Sequence, residues 1–380
     1  MMAKFHWFLP TASDGRSLTV GTRGTHGPGH DAEAAADPGA DRFRAPDIRY
    51  LTQIAQAAEH VGFDAVLTPT GTWCEDAWLI CAALAQETER LRYLVAFRPG
   101  FISPTIAAQM AATFQRVSRG RLLLNVVTGG EADEQARFGD HLSKAQRYER
   151  CAEFLTILRG AWSGAPFTFA GRHYDVRGAT VMAPPDPMPR LYFGGSSAEA
   201  GPVAAEHVDT YLTWGEPPGQ VTRKLDWMRG LAAEYGRTLR FGIRFHVVTR
   251  DTNAEAWTAA EKLLAGMDGA HVARVQTTLA ASQSTGQARM SSLHARYRES
   301  ARTSDLEIYP NVWAGVGLLR GGAGTALVGS HQEVADRIAE YAALGIDEFI
   351  LSGFPHLEET YWVGEGVLPR LTHLTQVVRR

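Results

Sequence analysis

Residues Leu91–Thr128 have the sequence LRYLVAFRPGFISPTIAAQMAATFQRVSRGRLLLNVVT, and this stretch decides the fold class. Two short apolar runs, Leu91–Phe97 and Leu122–Thr128, flank a segment of helical period over Pro104–Val117. A strand, a helix and a second strand in this order are typical of a βαβ unit with parallel strands. We therefore expect an α/β protein.

The same alternation continues in both directions along the 380 residues. Eight apolar runs of strand length are bounded by turn residues, and no clear linker separates them. This number of strands favours one closed (β/α)₈ barrel, a TIM barrel spanning residues 1–380, over a doubly wound open sheet. The predicted strands are Phe5–Pro10, Ala65–Thr70, Leu91–Phe97, Leu122–Thr128, Arg190–Gly194, Thr210–Trp214, Phe241–Val248 and Glu348–Ser352.

Segments of helical period lie between the strands. In the last of them, Ser330 precedes an amphipathic run that ends before Gly345, so both helix caps are visible in the sequence. The predicted helices are Ile48–Val61, Glu75–Glu89, Pro104–Val117, Ala145–Trp162, Pro218–Tyr235, Ala254–Leu264 and Ser330–Leu344.

Three segments interrupt the alternation. Residues 22–46 are rich in Gly, Ala, Asp and Pro, which predicts a mobile insertion after the first strand. Residues 165–181 have a hairpin pattern with its turn at Ala170–Gly171, and residues 266–310 form a long polar insertion before the strand-like NVWAGVGLL. Insertions after barrel strands lie at the C-terminal face, so the first and third are lid candidates.

Composition narrows the function class. A net charge of −3 gives no broad cationic surface for nucleic acid or anionic lipid, and no run of about 18 apolar residues is present, so we expect neither nucleic acid nor membrane as a partner. The N-terminus lacks a signal-peptide pattern, and three scattered cysteines favour the cytoplasm. His26 and His30 lack a third ligand, so we expect no metal site.

Arg244 and His246 lie two residues apart in RFGIRFHVVTR, so on a strand both side chains point to the same face. If that face is the barrel interior, the guanidinium needs an anion, and its planar fork matches sulfonate, phosphate or carboxylate oxygens. An internal Asp or Glu as the partner is an equally open interpretation.

Three glycine-rich segments are candidates for a phosphate cradle: VTGG at 127–130, FGGSS at 193–197 and LLRGGAG at 318–324. Ser196 and Ser197 in FGGSS precede a helix whose positive end attracts phosphate. Purely steric use of glycine in turns remains open. Trp214 ends a strand and suits either a ligand wall or the core. The carboxylates of GGEADE suggest either a glycosidase pair or, as we expect, a solvated loop.

Several motifs occur in an order that supports a family resemblance: HWFLPT, PTGTWCEDAW, NVVTGGE, YFGGSS, YLTWGEPP, RFGIRFHVVTR, NVWAGVGLLRGGAGTALVG and SGFPHLEE. Together they resemble the two-component, FMN-dependent alkanesulfonate monooxygenases of the bacterial luciferase-like superfamily. The resemblance covers nearly the whole chain and fails mainly at residues 22–46.

The resemblance implies a flavoprotein that takes FMN reduced by a separate NAD(P)H-dependent reductase. With dioxygen, such an enzyme would cleave an organosulfonate to an aldehyde and sulfite. It also implies a homodimer or homotetramer. Carried over by motif, the catalytic positions are Cys74, Trp214, Arg244, His246, Arg320 and His356. The FMN-binding positions are Asn125, Thr128, Tyr148, Gly195, Ser196 and Ser197.

The roles implied are sulfonate binding and sulfite stabilisation by Arg244 and Arg320, with proton transfer by His246 or His356. Two departures bear on the substrate: Ala12 replaces the family's usual histidine and Phe354 its usual tyrosine. A linear alkanesulfonate and the sugar sulfonate sulfoquinovose therefore stay open. The alternatives are a deazaflavin-dependent oxidoreductase of the same superfamily and, from another class, a barrel glycoside hydrolase.

Overall fold

The computed structural model describes residues 2–18, 43–265, 267, 269–295 and 302–375. The insertion predicted at 22–46 therefore lies outside the described residues as far as residue 42. Residues 266, 268 and 296–301 of the predicted 266–310 insertion also lie outside them.

Fifteen strands occur in the described residues. In chain order they are β1 (Lys4–Phe8), β2 (Asp14–Gly15), β3 (Phe43–Arg44), β4 (Ala65–Thr68), β5 (Arg92–Phe97), β6 (Leu122–Val126), β7 (Phe167–Ala170), β8 (Asp175–Ala179), β9 (Leu191–Phe193), β10 (Thr210–Trp214), β11 (Arg240–Arg250), β12 (Glu307–Tyr309), β13 (Val312–Trp313), β14 (Ala326–Ser330) and β15 (Glu348–Ser352).

Eight of these strands close into a parallel barrel. The order is β1, β4, β5, β6, β9, β10, β11 and β15, and β15 pairs with β1 to complete the ring. Each predicted apolar run contains one of these strands, so the eight-stranded (β/α)₈ barrel is confirmed. Strands β11 and β15 are buried along most of their length, as expected for barrel strands with side chains packed on both faces of the sheet.

Thirteen α-helices accompany the strands in the part of the chain that the structure describes. They are α1 (Ile48–Val61), α2 (Ala77–Leu84), α3 (Pro104–Ser118), α4 (Ala132–Arg137), α5 (Lys144–Ala161), α6 (Ala200–His207), α7 (Pro218–Glu234), α8 (Asn253–Leu264), α9 (Gly269–Ala280), α10 (Thr285–Leu293), α11 (His331–Ala343), α12 (His356–Gly366) and α13 (Thr372–Thr375). No helix within the described ranges is both long and apolar enough to cross a membrane.

Local sequence signals set the helix ends. The Ser330 side chain accepts from the backbone N–H of Glu333 and the Glu333 carboxylate accepts in return, a capping box at the start of α11. Gly345, just beyond its end, has φ +104°, which a residue without Cβ adopts at little cost. Both predicted caps are therefore confirmed.

Alternate residues of each barrel strand divide between two cores. On β1, Trp7 packs outward against the helices, whereas His6 and Phe8 point into the barrel. The apolar layer inside the barrel is formed by Phe8, Ala65, Leu67, Leu94, Leu123, Tyr192 and Ile350. This layer separates the two ends of the barrel, so each end has its own polar cluster.

A buried charge cluster occupies the N-terminal end. The Glu348 carboxylate is bonded by His6 Nε2 and the Tyr192 hydroxyl, each at 2.8 Å, and Arg240 Nε lies 3.0 Å from it. Burial alone would raise the pKa of Glu348. The hydrogen bonds and the arginine charge outweigh burial and hold that pKa at about 2. Four barrel strands thus meet at one ionised carboxylate.

Additional strands lie outside the closed ring. β14 pairs with the far half of β11, and β12 and β13 extend that edge in antiparallel fashion. The strand-like NVWAGVGLL was interpreted wrongly: only Val312–Trp313 is a strand, and Gly315–Leu318 is a 3₁₀ turn. A Cβ at Gly315 would lie 1.9 Å from the Trp313 ring, so the chain folds back on itself there. β7 and β8 form an antiparallel hairpin within 165–181.

Candidate active site

A cavity of about 260 Å³ opens at the C-terminal end of the barrel. Every barrel strand contributes to its wall at or just after its carboxyl end, where TIM-barrel sites are built. The contributing residues are Phe8, Leu67, Ala96, Asn125, Gly194, Leu212, Arg244 and Ile350. The three glycine-rich segments also converge on it, through Gly129 and Gly130, Gly194 and Gly195, and Gly321 and Gly322.

Two arginines line this cavity. Arg244 extends from β11 with its Cζ 3.9 Å from the centre of the Phe8 ring, and Arg320 has its Cζ 4.8 Å from the Phe354 ring centre. Burial lowers the pKa of Arg320 to about 10, and the charge of Asp14 opposes this shift. Both guanidiniums are therefore cationic at neutral pH, and one cavity holds two positive charges.

His246 lies beside the arginines but is fully engaged. Its Nε2 lies 3.0 Å from the carbonyl oxygen of Ala323, and its Nδ1 lies 2.8 Å from the Ser352 hydroxyl. The carbonyl can only accept, so Nε2 carries the proton and Nδ1 accepts from Ser352. Burial, followed by the charges of Arg244 and Arg320, lowers the pKa of His246 well below its usual value. Proton transfer by His246 stays a prediction, and in the structure both ring nitrogens are hydrogen-bonded and the imidazole forms part of the wall.

His356 is not one of the described residues that line the cavity, and it lies behind them. Its Nδ1 is 2.8 Å from Asp14 Oδ1, and its backbone N–H donates to Asp14 Oδ2 at 2.7 Å. The Tyr50 hydroxyl also donates to Asp14, at 2.5 Å. Despite burial, these contacts with His356 and Tyr50 lower the pKa of Asp14. His356 is thus an oriented imidazole packed against Phe8 and Phe354 at 5.8 and 5.1 Å.

Two tryptophans line the cavity, but the cysteine that the sequence predicts as a site residue does not. Trp73 and Trp214 line the cavity, whereas Cys74 is not among the described lining residues. The Cys74 Sγ lies 3.6 Å from the carbonyl oxygen of Gly71. Trp73, the residue before Cys74 in the turn that precedes α2, takes the wall position instead.

Another part of the lining is polar. It contains the predicted flavin-binding positions Asn125, Thr128, Tyr148, Gly195, Ser196 and Ser197. Gly195 permits a close turn, because a Cβ there would lie 2.6 Å from Ala200 Cβ. Burial raises the pKa of Tyr148, so its phenol stays protonated and can donate. The Ser197 hydroxyl is buried beside the Tyr148 phenol and the Glu199 carboxylate, and its hydrogen bonding lowers the pKa of Glu199.

Sequence reasoning missed two lysines in this wall, Lys144 and Lys224. Lys224 Nζ donates to Glu216 Oε2 at 2.5 Å and to Thr213 Oγ1 at 2.8 Å, and all three residues are buried. Burial lowers the pKa of Lys224, and the Glu216 carboxylate opposes this. Glu216 precedes α7 and Lys224 lies eight residues further along, so no i, i+3 or i, i+4 spacing in the sequence reveals this pair.

The connection between α9 and α10 and the first turn of α10 line the cavity, through Gln283, Ser284, Thr285, Gly286 and Gln287. Gln283 N–H donates to Gly130 O at 3.0 Å and the Ser282 hydroxyl to Glu131 at 2.8 Å, which ties the connection between these helices to the VTGG loop. The Gln287 side chain accepts from Gly322 N–H at 2.9 Å on the other side. This part of the lining is therefore bonded to two of the glycine-rich loops that line the cavity.

The sequence predicted a solvated loop for the GGEADE carboxylates, and that prediction is wrong. Glu134 is buried and paired with Arg98 at 2.5 Å, and only Glu131 of the three acidic residues lines the cavity. This arrangement offers no carboxylate pair from that motif for a glycosidase. Within the described ranges, no group of three or more His, Cys, Asp or Glu side chains could hold a metal ion.

Comparison with known proteins places the geometry in context. The model of the luciferase-like monooxygenase family matches residues 2–348. Among solved structures, long-chain alkane monooxygenase superposes with a TM-score of 0.74 at 18% identity, covering 98% of this chain and 92% of that one. EDTA monooxygenase from Chelativorans sp. BNC1 gives 0.72 at 17% identity, covering 99% and 95%.

An F420-dependent secondary alcohol dehydrogenase is also similar, with a TM-score of 0.66 at 18% identity over 98% of this chain and 99% of that one. At these identities the superpositions show a shared fold. They do not distinguish one cofactor or substrate from another.

Proposed function

Because the chain belongs to the luciferase-like monooxygenase family, we propose that it is the oxygenase of a two-component system that desulfonates an organosulfonate. A separate NAD(P)H-dependent reductase would deliver reduced FMN. The products would be an aldehyde and sulfite. The substrate would be a linear alkanesulfonate or sulfoquinovose.

One observation carries this proposal: Arg244 and Arg320 line the same cavity as a group of side-chain hydroxyls. A sulfonate is a compact anion with three oxygens, and guanidinium forks bind such oxygens in pairs. The same charges would stabilise the negative charge that develops on sulfite as the carbon–sulfur bond breaks. An uncharged alkane or alcohol would offer these arginines no anionic group to bind.

The polar wall fits FMN. The Ser197 hydroxyl, Ser196, Tyr148 and Lys144 supply donors and a cation for a phosphate, while Asn125 supplies an amide for the ring system. Bound reduced FMN would supply the two electrons with which dioxygen is activated.

The remaining roles follow from the contacts. His246 is neutral, so it adds no third positive charge beside Arg244 and Arg320. Helices α9 and α10 would exclude water, which otherwise diverts activated oxygen into side reactions. His356 is oriented by Asp14 and its Nε2 has no partner among the described residues, but it lies behind the lining, so proton transfer between it and a substrate would need an intervening group or water.

The test is a sulfite assay with a panel of sulfonates, run with reduced FMN and, in parallel, with a reduced deazaflavin. We expect sulfite with reduced FMN in air. The Arg244→Ala variant should release none, yet it should bind FMN with unchanged affinity, because the proposed flavin contacts lie in another part of the lining. Turnover only with the deazaflavin, or unchanged sulfite release by the variant, contradicts the proposal.

A further inference from the structure

Each cavity arginine lies over a phenylalanine ring. Arg244 Cζ is 3.9 Å from the Phe8 ring centre, and Arg320 Cζ is 4.8 Å from that of Phe354. Both distances lie within the roughly 6 Å at which a cation is attracted to the negative face of an aromatic ring. The two rings come from opposite ends of the chain, one from β1 and one from the loop after β15.

A shared contact holds these rings at fixed places. His356 packs tilted against Phe8 and edge-on against Phe354, with an interplanar angle of 82° for the second pair. The imidazole is itself fixed through Nδ1 by Asp14. Phe8 and Phe354 are 8% and 6% exposed, so neither has room to rotate freely. The rings therefore form a rigid support for both guanidiniums.

This support matters because Arg244 and Arg320 carry like charges and line one cavity, where they repel each other. The charge of Asp14 also acts on Arg320. A ring face attracts each cation and limits where it can lie. Holding both guanidiniums in place in advance reduces the ordering cost when an anion binds.

We propose that Phe8 and Phe354 are positioning residues for an oxyanion, acting through Arg244 and Arg320. This inference rests on the proposed function, because it takes the anion to be the sulfonate end of the substrate. It assigns specificity for the anion to two apolar side chains that make no hydrogen bond with it. A side chain of similar volume without a π-face cannot replace either ring.

The experiment measures anion binding directly by calorimetry, with methanesulfonate and inorganic sulfite as probes and without turnover. Phe8→Leu and Phe354→Leu keep the apolar volume, whereas Phe354→Tyr keeps the ring. We expect about tenfold weaker binding for each leucine variant, equivalent to about 1.4 kcal/mol, and near-normal binding for the tyrosine variant. Thermal melting checks that each variant is folded. A leucine variant that does not fold is replaced by the methionine variant at the same position.

A cycle with Arg244→Met separates positioning from general packing. In the Arg244→Met background the Phe8→Leu change should have no further effect on anion binding, because no guanidinium remains over that ring. Equal losses in both backgrounds, or wild-type affinity in the leucine variants, would overturn the inference while leaving the proposed function standing. Wild-type protein that binds neither probe would overturn the proposed function and the inference with it.

Discussion

Glu348 offers a quantitative test of how the barrel is held together. Its carboxylate accepts from His6 and Tyr192 and lies 3.0 Å from Arg240, so it joins four strands inside the barrel. The pKa of Glu348 is held at about 2, against 4.5 for an unperturbed glutamate, in spite of burial. At 1.36 kcal/mol per pH unit this corresponds to about 3 kcal/mol. Removing one partner of a buried ion pair costs roughly the same, 3 to 5 kcal/mol.

We therefore expect Glu348→Gln to lower the free energy of unfolding by about 3 kcal/mol at pH 7. The measurement is urea unfolding followed by circular dichroism. Because the folded pKa of this carboxyl is depressed, its contribution is complete above about pH 4.5 and is lost as the pH falls towards 2. The difference between variant and wild type should accordingly shrink over that range.

The matched control is Asp226→Asn, which removes an exposed pair with Arg229 and should cost at most about 0.5 kcal/mol. A Glu348→Gln variant no less stable than this control would refute the reasoning. A pH-independent difference between Glu348→Gln and wild type would refute the charge-based explanation in particular.

Three further changes test the site. Ser197→Ala should weaken FMN binding about fivefold, measured by flavin fluorescence, because one hydrogen bond contributes about 1 kcal/mol. Ser282→Ala should loosen the bond of the α9–α10 connection to Glu131, so less sulfite should form per reduced flavin consumed, with hydrogen peroxide making up the balance. Lys224→Met leaves the buried Glu216 without its cation, so it should lower the free energy of unfolding, measured in urea, by about 3 kcal/mol. Adding Glu216→Gln to this variant should restore part of that loss.

The fold was predictable because barrel strands and helices differ in period and length. Runs such as Glu348–Ser352 are short and buried on both faces, and the segment over α11 carries both caps in its own sequence. The error at NVWAGVGLL has the opposite cause. Its residues are apolar enough for a strand, but the Gly315 position is folded against Trp313, a tertiary contact that no local pattern reveals.

The site was predictable only in part. Spacing alone places Arg244 and His246 on one face of β11, and both line the cavity. The state of His246 depends on Ser352 and Ala323, which are distant in sequence, so its neutral, fully bonded ring could not be foreseen. The same holds for His356, whose partner Asp14 lies 342 residues away.

The most direct test of the account is a single turnover of the protein with reduced FMN and a sulfonate, first without oxygen and then after oxygen is admitted. The account predicts no sulfite in the anaerobic phase and close to one sulfite per reduced flavin afterwards, with either octanesulfonate or sulfoquinovose. Sulfite before oxygen is admitted, or none from any organosulfonate afterwards, would contradict it.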